Sequence, residues 1–175
     1  MVIRKAEKSE YQTVRAFYHS LIDALEGTKY HPKWEKDLYP SQQDLRTALD
    51  EQTFYIGSEG DRIAAAMVVN QKCNDEYDDA AWTRPLARDE FYVIHMLGVH
   101  RDFAGKGYAR EMVRHAIGLA EAAGMKAVRL DVLTGNVPAE RLYEGMGFQH
   151  VDTLKLFYED TGRVDFKLYE YELGQ

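Results

Sequence analysis

Alternating hydrophobic and polar positions predict a strand, a helix and a second strand in the C-terminal half of the chain. Asp89 to Val99 has apolar residues on both faces, which is typical of a strand covered on both sides. Apolar residues then repeat at helical spacing from Tyr108 to Ala123, and Lys126 to Thr134 alternates as the next strand. Strands joined by a crossover helix pair in parallel, so this pattern predicts a β-α-β unit.

The rest of the pattern predicts further helices and antiparallel hairpins around that unit. Upstream of it we expect, in chain order, a strand over Val2 to Ala6, a helix from its N-cap Ser9 to Gly27, a helix capped by Ser41 with Asp44, and a hairpin of Thr53 to Ser58 with Arg62 to Gln71. Downstream we expect a short helix capped by Asn136 and a hairpin of Phe148 to Tyr158 with Arg163 to Leu173. The apolar parity of the last strand reverses, which predicts a bulge near Leu168 and Tyr169.

Two long segments between these elements allow more than one interpretation. Thr28 to Pro40 is rich in aromatic residues, so it is either a surface cover over the core or part of a substrate pocket. Lys72 to Arg88 is polar and acidic, and we predict a solvated loop there. The alternative is an acidic rim that attracts an amine-bearing acceptor.

Length, charge and cysteine content restrict the class of protein. A chain of 175 residues predicts one domain over residues 1–175 with room for a hydrophobic core. The net charge of −7 argues against a nucleic-acid partner and weakly favours a cationic acceptor. Cys73 is the only cysteine, so no disulfide can form within the chain and a cytoplasmic location is expected. The sequence predicts no membrane span, secretion signal or metal site, and it leaves a homodimer open.

The stretch from Val99 to Ala109, between the strand and the helix of the β-α-β unit, is the main candidate for ligand binding. Gly105 and Gly107 lie where the strand gives way to the helix, and the first turn of a helix has N–H groups without partners. These groups and the helix dipole predict an anion site, most naturally for a diphosphate. Neither the dinucleotide fingerprint nor the P-loop pattern fits, because Arg110 replaces the third glycine and Gly107 follows Lys106.

Two motifs in this half of the chain occur in an order that one enzyme family shares. The first is Gly107 followed by the small residue Ala109; the second, Asn136 to Phe148, reads Asn, Ala, an apolar-aromatic pair and then Gly-Phe. They resemble the GNAT superfamily of N-acetyltransferases, whose acetyl-CoA signature is Gln/Arg-x-x-Gly-x-Gly/Ala. Ala104 departs from the first position of that signature. The resemblance is close from Phe91 to about Val151, and the remainder matches in element order only.

The resemblance implies an α/β fold of the GNAT type, with a central twisted mixed sheet and helices on both faces. It implies transfer of an acetyl group from acetyl-CoA directly to a primary amine of an unidentified small molecule or peptide. The implied cofactor-binding residues are Leu97, Val99, Phe103, Ala104, Gly105, Lys106, Gly107, Tyr108, Ala109, Asn136 and Tyr143. Leu97 would lie near the main-chain N–H that polarises the carbonyl, and Tyr143 would protonate the departing thiolate or, alternatively, pack in the core. The phosphates of coenzyme A would be met by groups such as Lys106, Arg101 or Arg110.

The reaction also needs a general base, because an alkylammonium has a pKa near ~10.4 and must lose its proton to react. His95 is the candidate: histidine titrates in the useful range, and strand alternation predicts that it shares a face with Val93, Leu97 and Val99. Some GNAT members carry histidine at the matching place, whereas others use a glutamate where this chain has Val93. A buried structural histidine is the alternative. For the whole protein, the alternatives are a non-catalytic acyl-CoA-binding sensor and a transferase with a longer acyl donor.

Overall fold

Seven strands form one mixed sheet in the computed structural model, which describes residues 1–174. The strands are β1 (Val2–Lys5), β2 (Phe54–Glu59), β3 (Arg62–Asn70), β4 (Phe91–Val99), β5 (Ala127–Leu133), β6 (Gln149–Tyr158) and β7 (Gly162–Glu172). Their order across the sheet is β1-β2-β3-β4-β5-β7-β6. β4 and β5 are parallel, which confirms the predicted β-α-β unit, and the other neighbouring pairs are antiparallel.

Four helices pack on this sheet, and local capping bonds help to set where they begin. They are α1 (Tyr11–Leu25), α2 (Gln42–Asp50), α3 (Tyr108–Ala122) and α4 (Val137–Glu144). Ser41 caps α2 as predicted, because its Oγ accepts the Asp44 N–H at 3.0 Å. The prediction that Ser9 caps α1 is wrong. Ser9 lies within a 3-10 turn ahead of the helix, where Glu10 accepts the Glu7 N–H at 2.8 Å.

Both faces of the sheet are covered, as the GNAT-type fold class requires. α3 and α4 pack on one face, in a core cluster that includes Met112, Leu130 and Tyr55. α1 and α2 pack on the opposite face over β1 to β4, in a cluster that includes Tyr18 and Phe54. Neighbouring residues of β2 belong to different clusters because successive side chains of a strand point to opposite faces. This mixed α/β architecture confirms the predicted fold class.

The segment from Lys72 to Arg88 is exposed along most of its length, as predicted, but its aromatic residues extend the cover of the second face over β4 to β7. Tyr77 is 1% exposed and belongs to the core cluster of that part of the sheet. Trp82 stacks on Arg129, whose guanidinium carbon lies 4.0 Å from a ring centre. Arg129 is itself buried and donates to Glu170 at 2.7 Å. Aromatic residues within the polar stretch anchor it to the sheet.

The last hairpin has its bulge at the predicted level but on the other strand. Tyr169 pairs with His150 and Leu168 pairs with Asp152, so the extra residue is Val151 on β6. β7 pairs with β5 in unbroken register. Its apolar parity reverses because its two faces join different core clusters along its length.

Candidate active site

β4 and β5 separate partway along their length and form a fork. Their parallel pairing stops after Val93 and Arg129. Beyond that point β4 contains a bulge at Met96, whose φ is +55°. Met96 and Leu97 have no partner in the register of either neighbouring strand of the described sheet. The Tyr18 hydroxyl donates to the Met96 carbonyl at 2.7 Å and so ties α1 to the bulge.

The bulge corrects the predicted face of His95. His95 follows Val93 on the face that α2 covers, whereas Leu97 and Val99 pack into the core cluster on the α3 side. One inserted residue moves every later side chain to the other face of a strand. The hydrophobic pattern could not reveal this, because both faces of β4 are apolar and the bulge residue is a methionine.

A cavity of about 100 Å³ occupies the fork. It brings together four residues predicted for the site: His95, Leu97, Asn136 and Tyr143. Besides Tyr143, four more aromatic side chains line it, namely Trp34, Tyr39, Tyr158 and Phe166. Trp34 also packs against the core cluster of α1 and α2, so the aromatic segment from Thr28 to Pro40 both covers the core and lines the cavity.

Tyr143 is a buried tyrosine whose surroundings keep it protonated. Its side chain is 6% exposed, and its ring packs against Phe148 and Tyr169. Burial, together with the nearby carboxylate of Asp131, raises the pKa of Tyr143 well above its ordinary value. No other residue between positions 1 and 174 hydrogen-bonds its hydroxyl. Tyr143 can therefore donate a proton at neutral pH, and core packing holds its ring in place.

His95 is held by hydrogen bonds from one of its two ring nitrogens. Nε2 lies 3.0 Å from the Lys72 carbonyl oxygen and 3.1 Å from Asn70 Oδ1, so Nε2 carries the hydrogen and donates it. Burial lowers the pKa of His95 to about 4. The ring is therefore neutral at physiological pH, and its lone pair is on Nδ1.

Asn136 occupies the N-cap position of α4, but its side chain does not cap the helix. Its side chain makes no capping hydrogen bond, and Glu140 Oε1 accepts the Gly135 N–H at 3.0 Å instead. Asn136 lines the cavity and also a neighbouring cleft of about 350 Å³, which Leu97 and Val99 line as well. This cleft runs beside β4 and leads away from the fork.

Two carboxylates in the cavity were not predicted from the sequence. Asp131 projects from β5, and its Oδ2 accepts hydrogen bonds from Tyr77 at 2.7 Å and Tyr158 at 2.9 Å. Asp160 lies in the turn between β6 and β7, and its Oδ1 is buried with no hydrogen-bond partner among the described residues. Burial raises the pKa of both groups, that of Asp160 to about 6. An aspartate within a doubly covered strand was the available signal for Asp131, whereas Asp160 reads as an ordinary turn residue.

The loop before α3 has the backbone geometry of an anion site. Gly105 and Gly107 have φ values of +77° and +81°, and a side chain at either position would enter open space. Gly107 is the N-cap of α3, and no side chain caps the helix. The first-turn N–H groups of Tyr108 and Ala109 therefore have no acceptor within the helix. With the helix dipole, they form a site suited to an anion.

Side chains around this loop are engaged with one another. Lys106 Nζ lies 2.7 Å from Glu59 Oε1, and the Tyr108 hydroxyl donates to the same carboxylate. The hydrogen bond from Lys106 lowers the pKa of Glu59, and Glu59 in turn raises the pKa of Tyr108 to about 12. Arg110 donates to the Gly145 carbonyl oxygen at 3.1 Å. An anion here would therefore meet mainly backbone N–H groups, with Phe103 buried beneath them.

Comparison with known proteins identifies the family. The model of the acetyltransferase (GNAT) family matches residues 15–148, and the chain belongs to this family. Members of the family use acetyl-CoA as their acyl donor. Between residues 1 and 174, no helix is long and apolar enough to cross a membrane. The same residues contain no group of three or more His, Cys, Asp or Glu side chains that could hold a metal ion.

Individual relatives agree with this assignment. N-alpha-acetyltransferase RimI of Mycobacterium tuberculosis is 32% identical over 71 residues, which are 41% of this chain and 43% of that protein. The chain thus matches less than half the length of this curated relative. A GNAT acetyltransferase structure from Streptococcus agalactiae aligns over 99% of this chain and 96% of its own, with a TM-score of 0.78 and 19% identity. A Salmonella typhimurium structure with its cofactor acetyl-CoA aligns over 100% and 95%, with a TM-score of 0.71 and 15% identity.

Proposed function

We propose that the chain is an acetyl-CoA-dependent N-acetyltransferase, one catalytic domain over residues 1–175, that acts on a primary amine in the cytoplasm. The convergence at the fork is the observation that carries this proposal. The unpaired backbone at Leu97 and the protonated hydroxyl of Tyr143 meet at one cavity. These are the two hydrogen-bond donors that acyl transfer to an amine requires.

The acyl donor would occupy the cleft beside β4 and the loop before α3. When bound, acetyl-CoA supplies an acetyl thioester. The residues proposed to hold it are Leu97, Val99, Phe103, Ala104, Gly105, Lys106, Gly107, Tyr108, Ala109, Asn136 and Tyr143. The cleft of about 350 Å³ beside Leu97 and Val99 suits the pantetheine arm, and the N–H groups after Gly107 suit the diphosphate.

Direct transfer needs no covalent bond to the protein. The amine nitrogen forms a bond to the acetyl carbon as the carbon–sulfur bond breaks, and the proton of the amine passes to a base. The main-chain N–H near Leu97 stabilises the negative charge that develops on the carbonyl oxygen. Tyr143 donates a proton to the departing sulfur. The fork contributes to the rate by holding the reacting atoms in place.

His95 is the proposed base, and Nδ1 is its accepting atom. Nε2 already donates to the Lys72 carbonyl oxygen, so only Nδ1 has a lone pair to offer. The alternative is a structural role, in which His95 ties the segment after β3 to β4. His95→Gln separates the two roles. Loss of a base whose folded pKa is about 4 removes the fall in rate as the pH approaches that value, whereas loss of a structural hydrogen bond leaves the shape of the pH–rate profile unchanged.

Acceptor-dependent release of free thiol tests the proposed function. The purified protein, acetyl-CoA and a panel of primary amines should give thiol and N-acetyl product in equal amounts. Tight coenzyme A binding without thiol release from any amine would favour the non-catalytic sensor instead. A panel of acyl-CoA esters of increasing chain length would expose a preference for a longer acyl donor.

A further inference from the structure

The cavity at the fork has an unbalanced charge. Two carboxylates, Asp131 and Asp160, line it, and no lysine or arginine among residues 1–174 does. Neither aspartate forms an ion pair with a described residue. Asp131 accepts its hydrogen bonds from neutral tyrosine hydroxyls, which orient Oδ2 but do not neutralise the charge. Asp160 has a buried oxygen, Oδ1, that accepts no hydrogen bond within residues 1–174.

Such an arrangement is costly unless a cation enters the cavity. A charge removed from water destabilises the fold unless a partner compensates it. The cavity is also lined by Trp34, Tyr39, Tyr158 and Phe166, and aromatic rings of these types attract cations. Uncompensated carboxylates beside aromatic rings therefore suit an ammonium ion and repel an anion.

We infer that this cavity selects an acceptor whose ammonium group has no anion on the carbon beside the nitrogen, with Asp131 and Asp160 as its counter-charges. The inference rests on the proposed function and narrows its substrate class. Amines and amino-amides are accepted, and free amino acids are disfavoured because their carboxylate faces these aspartates. The amide product has no positive charge, so the same carboxylates hold it weakly and favour its release.

The rest of the acceptor has space outside the cavity. A groove of about 480 Å³ adjoins it and shares Tyr39, His95, Met96 and Tyr158 with it. Lys72 lines this groove, but its Nζ lies 2.5 Å from Glu51 and is neutralised there. The inferred selection therefore acts on charge near the reacting nitrogen and leaves the more distant part of the acceptor free to vary.

Pairs of acceptors that differ only in a carboxylate test the inference. We would compare 2-phenylethylamine with phenylalanine, and 3-methylbutylamine with leucine, by their kcat/KM values. The kcat/KM of each amine should exceed that of its amino acid by ~100-fold or more. Each tenfold difference corresponds to about 1.36 kcal/mol. Phenylalaninamide, which keeps the bulk and lacks the charge, should behave like 2-phenylethylamine. Equal kcat/KM values within both pairs would overturn the inference and leave the N-acetyltransferase proposal standing.

An isosteric variant assigns the selection to Asp160. Asp160→Asn should reduce the preference for 2-phenylethylamine over phenylalanine by ~10-fold, because one counter-charge is lost. Asp165→Asn is the matched control, since Asp165 lies in the same hairpin but is exposed and pairs with Lys155 at 3.0 Å. An unchanged preference in Asp160→Asn, or the same loss in the control, would contradict the assignment.

Binding measurements keep the inference separate from catalysis. Calorimetry of the same pairs with the protein and coenzyme A should detect the amine and a weaker or absent heat for the amino acid. If no acceptor is acetylated, the proposed function fails, and this binding difference still decides the inference. Equal binding of both members of each pair would overturn it.

Discussion

The loop before α3 and the cavity at the fork are built in opposite ways. The loop is one continuous stretch, Val99 to Ala109, and it presents backbone N–H groups beside two glycines with positive φ. The cavity is lined by residues from separate parts of the chain, which include Trp34, Asp131 and Asp160. A site made by backbone leaves a local motif in the sequence. A site made by side chains exists only after the fold brings them together.

Blocking the loop should have the largest effect on binding. Gly107→Trp should weaken acetyl-CoA binding by ~100-fold or more in calorimetry, because the indole ring would fill the space before the helix N-terminus. The positive φ of +81° also costs any other residue roughly 1–2 kcal/mol in stability.

Gly124→Trp is the control for that strain. Gly124 lies beyond the other end of α3 with a φ of +70° and open space around it. It should lose similar stability and keep its affinity for acetyl-CoA. If Gly107→Trp binds as well as the natural protein, the loop does not hold the cofactor.

Removing one hydroxyl from the cavity should have the next largest effect, on turnover. Tyr143→Phe should lower kcat by ~100-fold while the KM for acetyl-CoA changes little, because the proton donor is lost and the packed ring is kept. Tyr169→Phe is the matched variant, since the Tyr169 hydroxyl donates to Glu144 at 3.1 Å away from the cavity lining. Full activity of Tyr143→Phe would remove this residue from the mechanism.

This contrast explains what the sequence could and could not predict. The β-α-β unit, the glycine loop and Tyr143 follow from periodicity, glycine position and family resemblance. The prediction that His95 shares a face with Leu97 and Val99 was wrong, because the sequence of a strand that is apolar on both faces does not reveal a bulge at Met96. No pattern in the sequence indicates Asp160, because the cavity that it lines forms only when distant residues such as Trp34 come together.

The free energy of unfolding should depend on pH because the carboxylate of Asp160 is partly buried. Its folded pKa of about 6 lies above the ordinary value, so the folded state binds more protons than the unfolded state between pH 4 and 6. The stabilisation of the folded state by protonation of Asp160 is therefore complete below about pH 4 and is lost as the pH rises through about 6. Glu35 raises and Lys33 lowers the pKa of Asp160, so these two charges act in opposite directions.

Asp160→Asn should remove that pH dependence. At pH 7 the variant should be more stable by about 1 kcal/mol, a value that allows for partial exposure of the carboxylate. Its melting temperature should therefore lie about 3 °C above that of the natural protein. The difference should vanish near pH 4. A variant that melts lower than the natural protein at pH 7 would mean that the carboxylate is satisfied in the fold.

The smallest effect is expected from a charge beside the loop. Glu59→Gln should raise the affinity for acetyl-CoA ~3-fold, because it releases Lys106 toward the phosphates and removes a repelling carboxylate. The gain should shrink at high salt. Asp61→Asn, in the turn that follows Glu59, is the control and should bind as the natural protein does. A weaker affinity in Glu59→Gln would instead show that Glu59 supports the loop.

Isotope transfer tests the central claim of acetyl transfer at the fork most directly. The protein would be mixed with acetyl-CoA labelled in the acetyl carbonyl and with 2-phenylethylamine, and the products would be followed by mass spectrometry. Direct transfer at the fork should give labelled N-acetyl amide and free coenzyme A in equal amounts, with no label on the protein. Free coenzyme A without labelled amide, or a stable acetyl group on the protein, would contradict it.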